Sequence, residues 1–353
     1  MSTGASWRCR LRSVTLAVLL GLPLAAPAAA DPVPAPVPAC TITDERLTEL
    51  SGLVADGEHW YAANDGGTAA TVYVLGKDCQ VQDVITASTD PYDVEDLARA
   101  ADGTFWLSDT GDNDSDRETV ALVTLTPNGE STFFRLTYPD RKHDAEALVL
   151  DGAGVPYIIT KSPLGTADVF RPAGPLASPG PTPLEQVATV RLNSTDTPGG
   201  PLPGLVGSVT VTGAATSADG TAIALRTYTD AYLFPVKNGD VVAALAEEPV
   251  RVPLPNEAQG EAIAFQPDGS LVTGSEAGTD GAGQPVNVVA GAARLVAPEP
   301  PAEEEKPRSG STVSSASEAA DDGLPAAPAA AVTIAAVGVV YLLFRLLRRR
   351  RSN

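Results

Sequence analysis

Short apolar runs, separated by polar turns, fill the middle of the chain. Five segments share one order: an apolar run, a turn built on Asp-Gly, a second apolar run and then a polar residue. The turns are Asp56-Gly57, Asp102-Gly103, Asp151-Gly152, Asp219-Gly220 and Asp268-Gly269. Asp-Gly between apolar runs is a strong short-range signal for a β-hairpin. The pattern therefore predicts five hairpins.

The hairpins recur as a repeat along the chain. Their first strands begin at Leu50, Val94, Ala145, Thr212 and Gly260, and further apolar strands follow over 71–75, 120–125, 131–136 and 231–235. Most of the repeats are about 45 to 50 residues long, which is typical of β-propeller blades. The sequence thus predicts an all-β domain over residues 31–297, a β-propeller of five blades.

Two alternatives to five blades stay open in the sequence. The third repeat is longer than the others and contains a proline-rich insertion, 172–183, with room for further strands. A six-bladed propeller is therefore the alternative count. A β-sandwich is the competing all-β architecture, although sandwiches do not show so regular a repeat.

The last blade is incomplete in sequence order, because few strands can follow Glu276. We expect the segment Cys40-Thr-Ile-Thr to supply the missing strand and close the ring. Once Cys9 leaves with the signal peptide described below, two cysteines remain, and two cysteines in an oxidising compartment usually pair. A disulfide between Cys40 and Cys79 would tie the N-terminal segment to the first repeat.

Residues 1–30 have the parts of a secretory signal peptide. The parts are, in order, the cations Arg8, Arg10 and Arg12, the largely apolar run 13–24, and the small residues Ala28 to Ala30. A positive beginning, an apolar run of this length and a small-residue cleavage site are typical of a signal that is removed on export. The chain is therefore expected to be secreted.

The other end of the chain predicts a membrane anchor. Residues 324–344 are mainly apolar and carry no charge, and the basic tail 345–353 follows them. About 20 apolar residues span a bilayer, and arginines favour its cytoplasmic side. The preceding segment, 298–323, is rich in Pro, Glu and Ser and is expected to be an extended stalk. We expect a single-pass protein of the cell membrane, with the N-terminal domain extracellular and the C-terminus cytoplasmic.

Acidic residues outnumber basic ones. The chain has 44 Asp and Glu against 24 Lys and Arg, which gives a net charge of −20 at pH 7. A surface of this sign repels nucleic acid and anionic lipid headgroups, which argues against nucleic acid as a partner. It suits divalent cations or cationic ligands, although solubility outside the cell is a sufficient reason for the charge.

The repeat also predicts where polar side chains gather. In a propeller, the first strand of each hairpin begins at the same face at which the second strand ends. The residues at these starts are Ser51, Glu95, Glu146, Gly213 and Glu261, and those at the ends are Asp65, Asp109, Lys161, Arg226 and Glu276. One end of the central channel should therefore collect six carboxylates and two cations.

Two interpretations of these charges compete. In the first, the acids pair with Lys161 and Arg226 or cap strand ends, and they only stabilise the fold. In the second, the acids hold Ca²⁺, a cation that takes several oxygen ligands. The metal ligands are then Glu95, Asp109, Asp112, Glu146, Glu261 and Glu276. Lys161 and Arg226 would face an anionic ligand such as a phosphate.

A second acidic cluster follows the second hairpin. Asp112, Asp114 and Asp116 have the spacing with which an EF-hand loop begins. However, Arg117 and Val123 stand where that loop has its glycine and its closing glutamate. The cluster is therefore either a calcium loop of another kind or a polar turn.

His143 is the candidate for acid–base catalysis. It directly precedes Asp144-Ala-Glu146 and can therefore reach the same end of the channel. The sequence has two histidines and no Gly-x-Ser-x-Gly motif, which argues against serine-hydrolase chemistry.

Several short motifs carry a resemblance to known propellers. They are Asp93-x-Glu95-Asp-Leu-Ala, Asp109-Thr-Gly-Asp112-Asn113, His143-Asp-Ala-Glu146-Ala-Leu, Arg226-Thr-Tyr and Gln259-Gly-Glu261-Ala-Ile. On these motifs, residues 45–295 resemble secreted actinobacterial β-propeller proteins of unassigned function. More loosely, the region is similar to SdiA-regulated and esterase-like phytase propellers. The resemblance implies a propeller fold and a calcium site, but most of the dense basic phosphate-binding set of phytases is absent.

Two functions follow from these expectations. The first is a cell-surface β-propeller that binds a small anionic ligand or an extracellular protein at an acidic, calcium-loaded channel mouth. The second is a Ca²⁺-dependent hydrolase of phosphate or carboxylic esters, in which the metal activates water. A propeller fold by itself supports either function.

Overall fold

The computed structural model describes residues 33–202, 204, 206–277, 283 and 285–297. This part of the chain contains twenty strands, two short 3-10 helices and one short α-helix, α1 (Val241–Leu245). The predicted signal peptide 1–30, stalk 298–323, transmembrane segment 324–344 and tail 345–353 lie outside the described residues. Among the helices of the described residues, none has the length and hydropathy to cross a membrane.

Within the described residues, the strands form four-stranded antiparallel units that follow one another along the chain. β1 (Val37–Thr41) precedes the first unit. Unit 1 contains β2 (Leu50–Ala55), β3 (Trp60–Asn64), β4 (Ala70–Leu75) and β5 (Val81–Ala87). Unit 2 contains β6 (Val94–Arg99), β7 (Phe105–Asp109), β8 (Val120–Leu125) and β9 (Ser131–Thr137).

The later units repeat this arrangement. Unit 3 contains β10 (Ala145–Leu150), β11 (Pro156–Thr160), β12 (Thr166–Pro172) and β13 (Thr182–Arg191). Unit 4 contains β14 (Val211–Thr216), β15 (Ala222–Thr227), β16 (Asp230–Pro235) and β17 (Val250–Pro253). Unit 5 contains β18 (Gly260–Phe265), β19 (Leu271–Ser275) and β20 (Pro285–Val289). The sequence-predicted outer strands are thus confirmed as β4, β8, β9 and β16.

The units are arranged in a ring. The first strands β2, β6, β10, β14 and β18 contact one another in this order, and β18 contacts β2. β1 pairs antiparallel with β20 and so completes unit 5, as the sequence predicted. Units 2 and 3 are also joined at their outer strands, where β9 and β13 share two parallel residue pairs. The domain is an all-β propeller, with its channel lined by the five first strands.

The hairpin turns form because aspartate accepts hydrogen bonds from the backbone that follows it. In unit 2, Asp102 Oδ1 accepts from the N–H of Thr104 at 2.9 Å, and Gly103 has a φ of 90° that favours glycine. Units 1, 4 and 5 repeat this geometry. In unit 3 the Asp-Gly pair stands two residues earlier in a turn of the same length as that of unit 2, so the left-handed residue is Gly154 rather than Gly152.

The hydrophobic core lies between the units rather than within them. Each of five buried clusters combines side chains of two neighbouring units, and together the clusters connect every neighbouring pair around the ring. Between units 1 and 2, for example, Val72 packs in the same cluster as Leu97 and Phe105. Burial of apolar area stabilises the domain by about 25 cal/mol per Å², so each unit depends on both neighbours.

Cys40 and Cys79 form the predicted disulfide, with a Cα–Cα distance of 5.8 Å. Cys40 lies on β1, and Cys79 lies in the turn between β4 and β5. Since β1 belongs to unit 5 and the turn belongs to unit 1, the bond joins the two units at which the ring closes.

Candidate functional site

The first strand of every unit has a bulge at its second residue. The pairing register shifts at this point in β2, β6, β10, β14 and β18. The extra residues are Ser51, Glu95, Glu146, Thr212 and Glu261. A bulge leaves one residue out of the ladder and redirects its side chain, which is why bulges recur beside functional sites. In unit 4 this residue is Thr212 and not Gly213, which the sequence spacing had indicated.

The bulge residues are of two kinds. In units 1 and 4 they are hydroxyls: Ser51 Oγ donates to the carbonyl of Val94 at 3.0 Å, and Thr212 Oγ1 donates to the carbonyl of Gly260 at 2.8 Å. These bonds join the first strands of neighbouring units. In units 2, 3 and 5 the residues are Glu95, Glu146 and Glu261, which are 4%, 1% and 5% exposed. The bulge thus places buried carboxylates at the same end of three strands.

We call this end of the channel the mouth. The second strand of each hairpin brings a further residue to the mouth, and that residue directly follows the last paired residue of the hairpin. These residues are Asp65, Thr110, Lys161, Tyr228 and Glu276. Asp65, Lys161 and Glu276 occupy the positions that the sequence predicted. Asp109 lies one residue and Arg226 two residues before the equivalent positions.

Among the described residues, carboxylates converge at two places in the mouth. Asp65, Asp93 and Glu95 bring oxygen atoms within 4.8 Å of one another, and so do Glu95, Asp144 and Glu146. Glu95 belongs to both groups. Asp93 and Asp144 directly precede β6 and β10, and neither was predicted from the sequence to be a metal ligand. The Asp-x-Glu spacing in unit 2 and the matching spacing in unit 3 were the signals that could have found them.

Gly111 lies directly against the first group. A Cβ atom at this position would collide with the carboxylate oxygens of Glu95 and Asp93. The N–H of Gly111 donates to the carbonyl of Asp93 at 3.3 Å, so the loop after β7 is fixed beside these acids. Glycine permits this close approach of backbone and carboxylates.

Lys161 distinguishes the second group from the first. Its ammonium forms an ion pair with Glu146, and the two side chains are only 11% and 2% exposed. The ammonium also lies 5.9 Å from the ring centre of Tyr228. Lys161 therefore compensates part of the negative charge of the second group.

Asp109 and Asp112 are both engaged by the loop that follows β7. Asp109 Oδ1 accepts from the backbone N–H of Asp93 at 3.0 Å and forms an ion pair with Arg117 at 2.9 Å. Asp112 Oδ1 accepts from the N–H groups of Asp116 and Arg117 at 2.9 and 3.2 Å. Burial raises the pKa of Asp112 above its ordinary value. These hydrogen bonds fold the segment after β7 into a turn around the carboxylate of Asp112.

Arg226 is fully buried between units 4 and 5. It forms an ion pair with Glu257, and its Nη1 donates to the carbonyls of Ala262 and Gly274 at 3.0 and 3.1 Å. Glu257 Oε1 also accepts from Thr273 and Asn287. This network joins the two units, so Arg226 has a structural place rather than the ligand-facing one that the sequence predicted. Its partner lies in an irregular segment, where no periodic pattern pointed to it.

The two acids of unit 5 lie at the mouth but outside both groups of carboxylates described above. Glu261 Oε1 accepts from Gln259 at 3.1 Å, and the N–H of Glu276 donates to the carbonyl of Gln259 at 2.9 Å. Both acids are buried, at 5% and 4% exposed.

Asp96, which was not predicted as a site residue from the sequence, is fully buried between the first strands. Its carboxylate accepts from the N–H groups of Leu97, Leu148 and Ala214, at 2.8, 2.7 and 3.0 Å. These three residues belong to the first strands of units 2, 3 and 4. Complete burial raises the pKa of Asp96 well above its ordinary value, against the effect of the three N–H donors.

His143 lies beside the mouth, at a cavity of about 270 Å³. Its Nε2 lies 2.9 Å from Asp140 Oδ1, and its ring packs against Tyr138 and Phe170 with centres 4.8 and 4.9 Å away. The same cavity is lined by Asp144 and Lys161. The histidine is therefore held in one orientation at the cavity that Asp144 and Lys161 also line.

Comparisons with known proteins show distant structural likenesses. No protein-family model matches the chain, and no curated protein matches it in sequence. A crystal structure assigned as a gluconolactonase is 13% identical with a TM-score of 0.41, covering 74% of this chain and 90% of its own. Virginiamycin B lyase from Staphylococcus aureus is 13% identical with a TM-score of 0.34, covering 66% and 65%. Hydrazine synthase from Kuenenia stuttgartiensis is 10% identical with a TM-score of 0.38, covering 76% and 99%.

Proposed function

We propose that this protein is a five-bladed propeller of the cell surface that binds Ca²⁺ at its channel mouth and presents the ion to an anionic ligand or an extracellular protein. The observation that carries the proposal is the convergence of Asp65, Asp93 and Glu95 within 4.8 Å, next to the backbone of Gly111. Three carboxylates this close repel one another unless a cation or protons compensate their charge.

The chemistry of the group favours calcium. All of its side-chain donors are carboxylate oxygens, and Ca²⁺ takes six to eight oxygen ligands in a flexible geometry. Zinc and copper favour histidine and cysteine, which this group lacks. Lys161 already compensates charge in the neighbouring group, so the cation would lie with Asp65 and Asp93, sharing Glu95.

A cation at this point would leave the mouth with two positive centres. The ion and the ammonium of Lys161 would lie on either side of Glu95 and Glu146. A ligand with a carboxylate or phosphate group would suit these positive centres, since charge-assisted contacts are the stronger ones. The ligand-binding role that the sequence gave to Lys161 is therefore kept in the proposal.

The test is a calcium titration of the full-length protein in detergent, after metal analysis of the sample as purified. Saturating a site at about 100 times its Kd adds about 2.7 kcal/mol to the stability of the folded state, so Ca²⁺ should raise the Tm. Glu95→Gln should lose this shift, and Asp102→Asn, in a hairpin turn, should retain it. A Tm that is the same in chelator and in millimolar Ca²⁺ would refute calcium binding.

A second function, Ca²⁺-dependent hydrolysis of esters or phosphate esters, is favoured by one observation. His143 is oriented by Asp140 and lines the cavity together with Asp144 and Lys161, which is the arrangement a general base requires. A panel of carboxylic and phosphate esters, assayed with and without Ca²⁺, tests it. Turnover that is lost in His143→Gln while calcium binding is retained would support the hydrolase; no turnover on the panel would leave the binding function.

The cellular location belongs to the same proposal. It is supported by the apolar segment 324–344 with its basic tail and by the signal-like residues 1–30. Protease added to intact cells should digest the propeller, and a chain that ends at residue 323 should be released into the medium. Protection of the propeller in intact cells would contradict this location.

A further inference from the structure

Arg117 lies in the loop that follows β7, and its side chain reaches back to the beginning of that loop. It forms an ion pair with Asp109 at 2.9 Å, and the two side chains are only 10% and 2% exposed. Its Nη2 also donates to the carbonyl of Asp109 at 3.2 Å, and its Nη1 donates to the carbonyl of Gly111 at 2.6 Å. The planar fork of a guanidinium makes such contacts at the same time. Arg117 therefore fixes the loop around its own side chain.

Both residues that Arg117 holds contact the first carboxylate group, to which Asp93 and Glu95 belong. Asp109 Oδ1 accepts from the backbone N–H of Asp93 at 3.0 Å. Gly111 donates its own N–H to the carbonyl of Asp93 at 3.3 Å, and its Cα lies so close to the carboxylates of Asp93 and Glu95 that a Cβ would collide with both. The position of Asp93 therefore depends on two residues that Arg117 binds.

The charge of Arg117 and its position have opposite effects on a cation in the first group. A positive charge beside the carboxylates repels such a cation, so charge alone predicts that calcium binds more tightly once Arg117 is removed. A group that holds metal ligands in place raises the affinity instead, and its loss typically lowers metal affinity by about 10- to 100-fold. Because the two effects differ in sign, one substitution separates them.

We propose that Arg117 is a positioning residue of the calcium site. Through Asp109 and Gly111 it holds the carboxylates of Asp93 and Glu95 at the separation that a shared cation requires, and this effect outweighs the repulsion by its own charge. Arg117 offers no oxygen ligand, so it acts only through the residues that it binds. The inference rests on the proposed function, because it takes Ca²⁺ as the cation of the first group.

The experiment is calorimetric titration of the full-length protein in detergent with Ca²⁺. Arg117→Met should lower the calcium affinity by about 10- to 100-fold, although it removes a positive charge. Arg117→Lys keeps the charge but loses the planar fork, and it should also bind Ca²⁺ more weakly than the wild type. Calcium affinity that is unchanged or higher in Arg117→Met would overturn the proposal. If Arg117→Met fails to fold, Arg117→Lys decides in its place, and wild-type affinity in that variant would overturn the proposal.

Arg251→Met is the matched control. Arg251 pairs with the buried carboxylate of Asp230 at 3.0 Å, so the substitution removes the same charge from the same kind of ion pair. Asp230 belongs to neither carboxylate group. Calcium affinity in Arg251→Met should therefore not fall. An equal loss of affinity in Arg251→Met and Arg117→Met would show a general effect of losing an ion pair and would overturn the positioning role.

Amide hydrogen exchange in chelator separates this inference from the proposed function, because it requires no bound metal. Arg117→Met should speed the exchange of the amides of Asp93 and of residues 109–117, and Arg251→Met should not. Equal exchange in the wild type and Arg117→Met would overturn the positioning role. If the wild type binds no Ca²⁺, the calcium site fails, and faster exchange would still support Arg117 as the residue that positions Asp93. If both proteins bind Ca²⁺ equally, the calcium site stands and the positioning role fails.

Discussion

Asp56 both accepts hydrogen bonds from the backbone of its turn and contacts the side chains of Tyr61 and Arg99. Like its counterparts in the other turns, it accepts from the backbone, here from the N–H groups of Glu58 and His59 at 3.0 and 2.8 Å. In addition, its Oδ2 accepts from the Tyr61 hydroxyl at 2.6 Å and lies 3.2 Å from Arg99 of unit 2. Partial burial acts to raise the pKa of Asp56, but the hydrogen bonds and Arg99 outweigh it and lower the pKa to about 2.

Replacing Asp56 by Asn should therefore destabilise the protein in a pH-dependent way. The folded-state pKa lies below the unfolded one, so the charge of Asp56 contributes its full stability above about pH 4, and this contribution is lost as the pH falls towards 2. We expect Asp56→Asn to lower the free energy of unfolding by about 1 kcal/mol at pH 7, which is typical when a hydrogen bond is lost. Below about pH 4 the difference between the variant and the wild type should become smaller. Urea unfolding across this pH range measures it, with the exposed turn residue Asp102→Asn as control. A loss independent of pH would contradict the assignment.

Gly111 is the residue on which the calcium proposal can be tested with least disturbance of charge. Gly111→Ala should push the carboxylates of Asp93 and Glu95 apart, since the added Cβ occupies the space of their oxygens. We expect calcium affinity to fall at least about tenfold while the net charge of the site is unchanged. Gly174→Ala is the control, because no atom lies within 4 Å of a Cβ there. Equal affinity in both variants would argue against a cation at this point.

At the scale of elements, the sequence predicted the hairpins better than their register. Turn positions, outer strands and the closing strand followed from Asp-Gly pairs and apolar runs, because these depend on local chemistry. The bulges did not, since an extra residue in one strand leaves the spacing between two apolar runs nearly unchanged. For this reason the spacing selected Gly213 where the bulge residue is Thr212, and Arg226 where the mouth residue is Tyr228.

The candidate site was predicted in part for the same reason. Glu95, Glu146 and Lys161 lie together as expected, because they occupy repeat positions in units 2 and 3. The approach of Asp93 and Gly111 depends on the loop after β7, and loop geometry is not encoded by hydrophobic periodicity.

Asp96 connects three elements that are distant in sequence. Its carboxylate satisfies one N–H group on each of β6, β10 and β14, and these groups would otherwise be buried without a partner. A buried donor left without an acceptor costs about 1 to 3 kcal/mol. The side chain thus holds the strands that carry Glu95 and Glu146 in a fixed relation to each other.

Asp96→Ala should be strongly destabilising, by about 3 kcal/mol or more, since three buried donors lose their acceptor. Asp96→Asn retains one acceptor oxygen and should therefore lower the free energy of unfolding by less than Asp96→Ala does. Its comparison with the wild type isolates the effect of the charge. Burial raises the folded-state pKa, so ionisation favours the unfolded state, and wild-type stability falls as the pH rises through the ordinary aspartate value. The difference in unfolding free energy between the wild type and Asp96→Asn should accordingly be larger at pH 4 than at pH 7, as measured by denaturant unfolding. A difference that grows with pH would contradict the assigned direction of the pKa shift.

At the scale of the whole molecule, stability depends on closing the ring. In the part of the chain that the structure describes, every buried cluster is shared by two neighbouring units, so a ring that opens loses one cluster and exposes two faces. The cluster between units 5 and 1 combines Leu53 and Trp60 with Ala262 and Val272, far apart in sequence. β1 and the Cys40–Cys79 bond reinforce this junction.

Removing the disulfide should weaken the closure without affecting the mouth. β4 begins at the end where β3 returns and finishes at the opposite end, so the turn that holds Cys79 lies away from the carboxylates. The bond joins residues 39 apart, for which chain-entropy reasoning gives about 3 to 4 kcal/mol. The double variant Cys40→Ser with Cys79→Ser should therefore unfold at lower denaturant concentration, and reductant should lower the unfolding midpoint of the wild type but not that of the variant.

Calcium affinity, measured below the unfolding transition, should be the same in both proteins, because the ring is still closed there by β1 and its cluster. A variant that keeps its stability would show that β1 closes the ring unaided, whereas one that loses calcium while folded would show that the closure and the mouth are coupled.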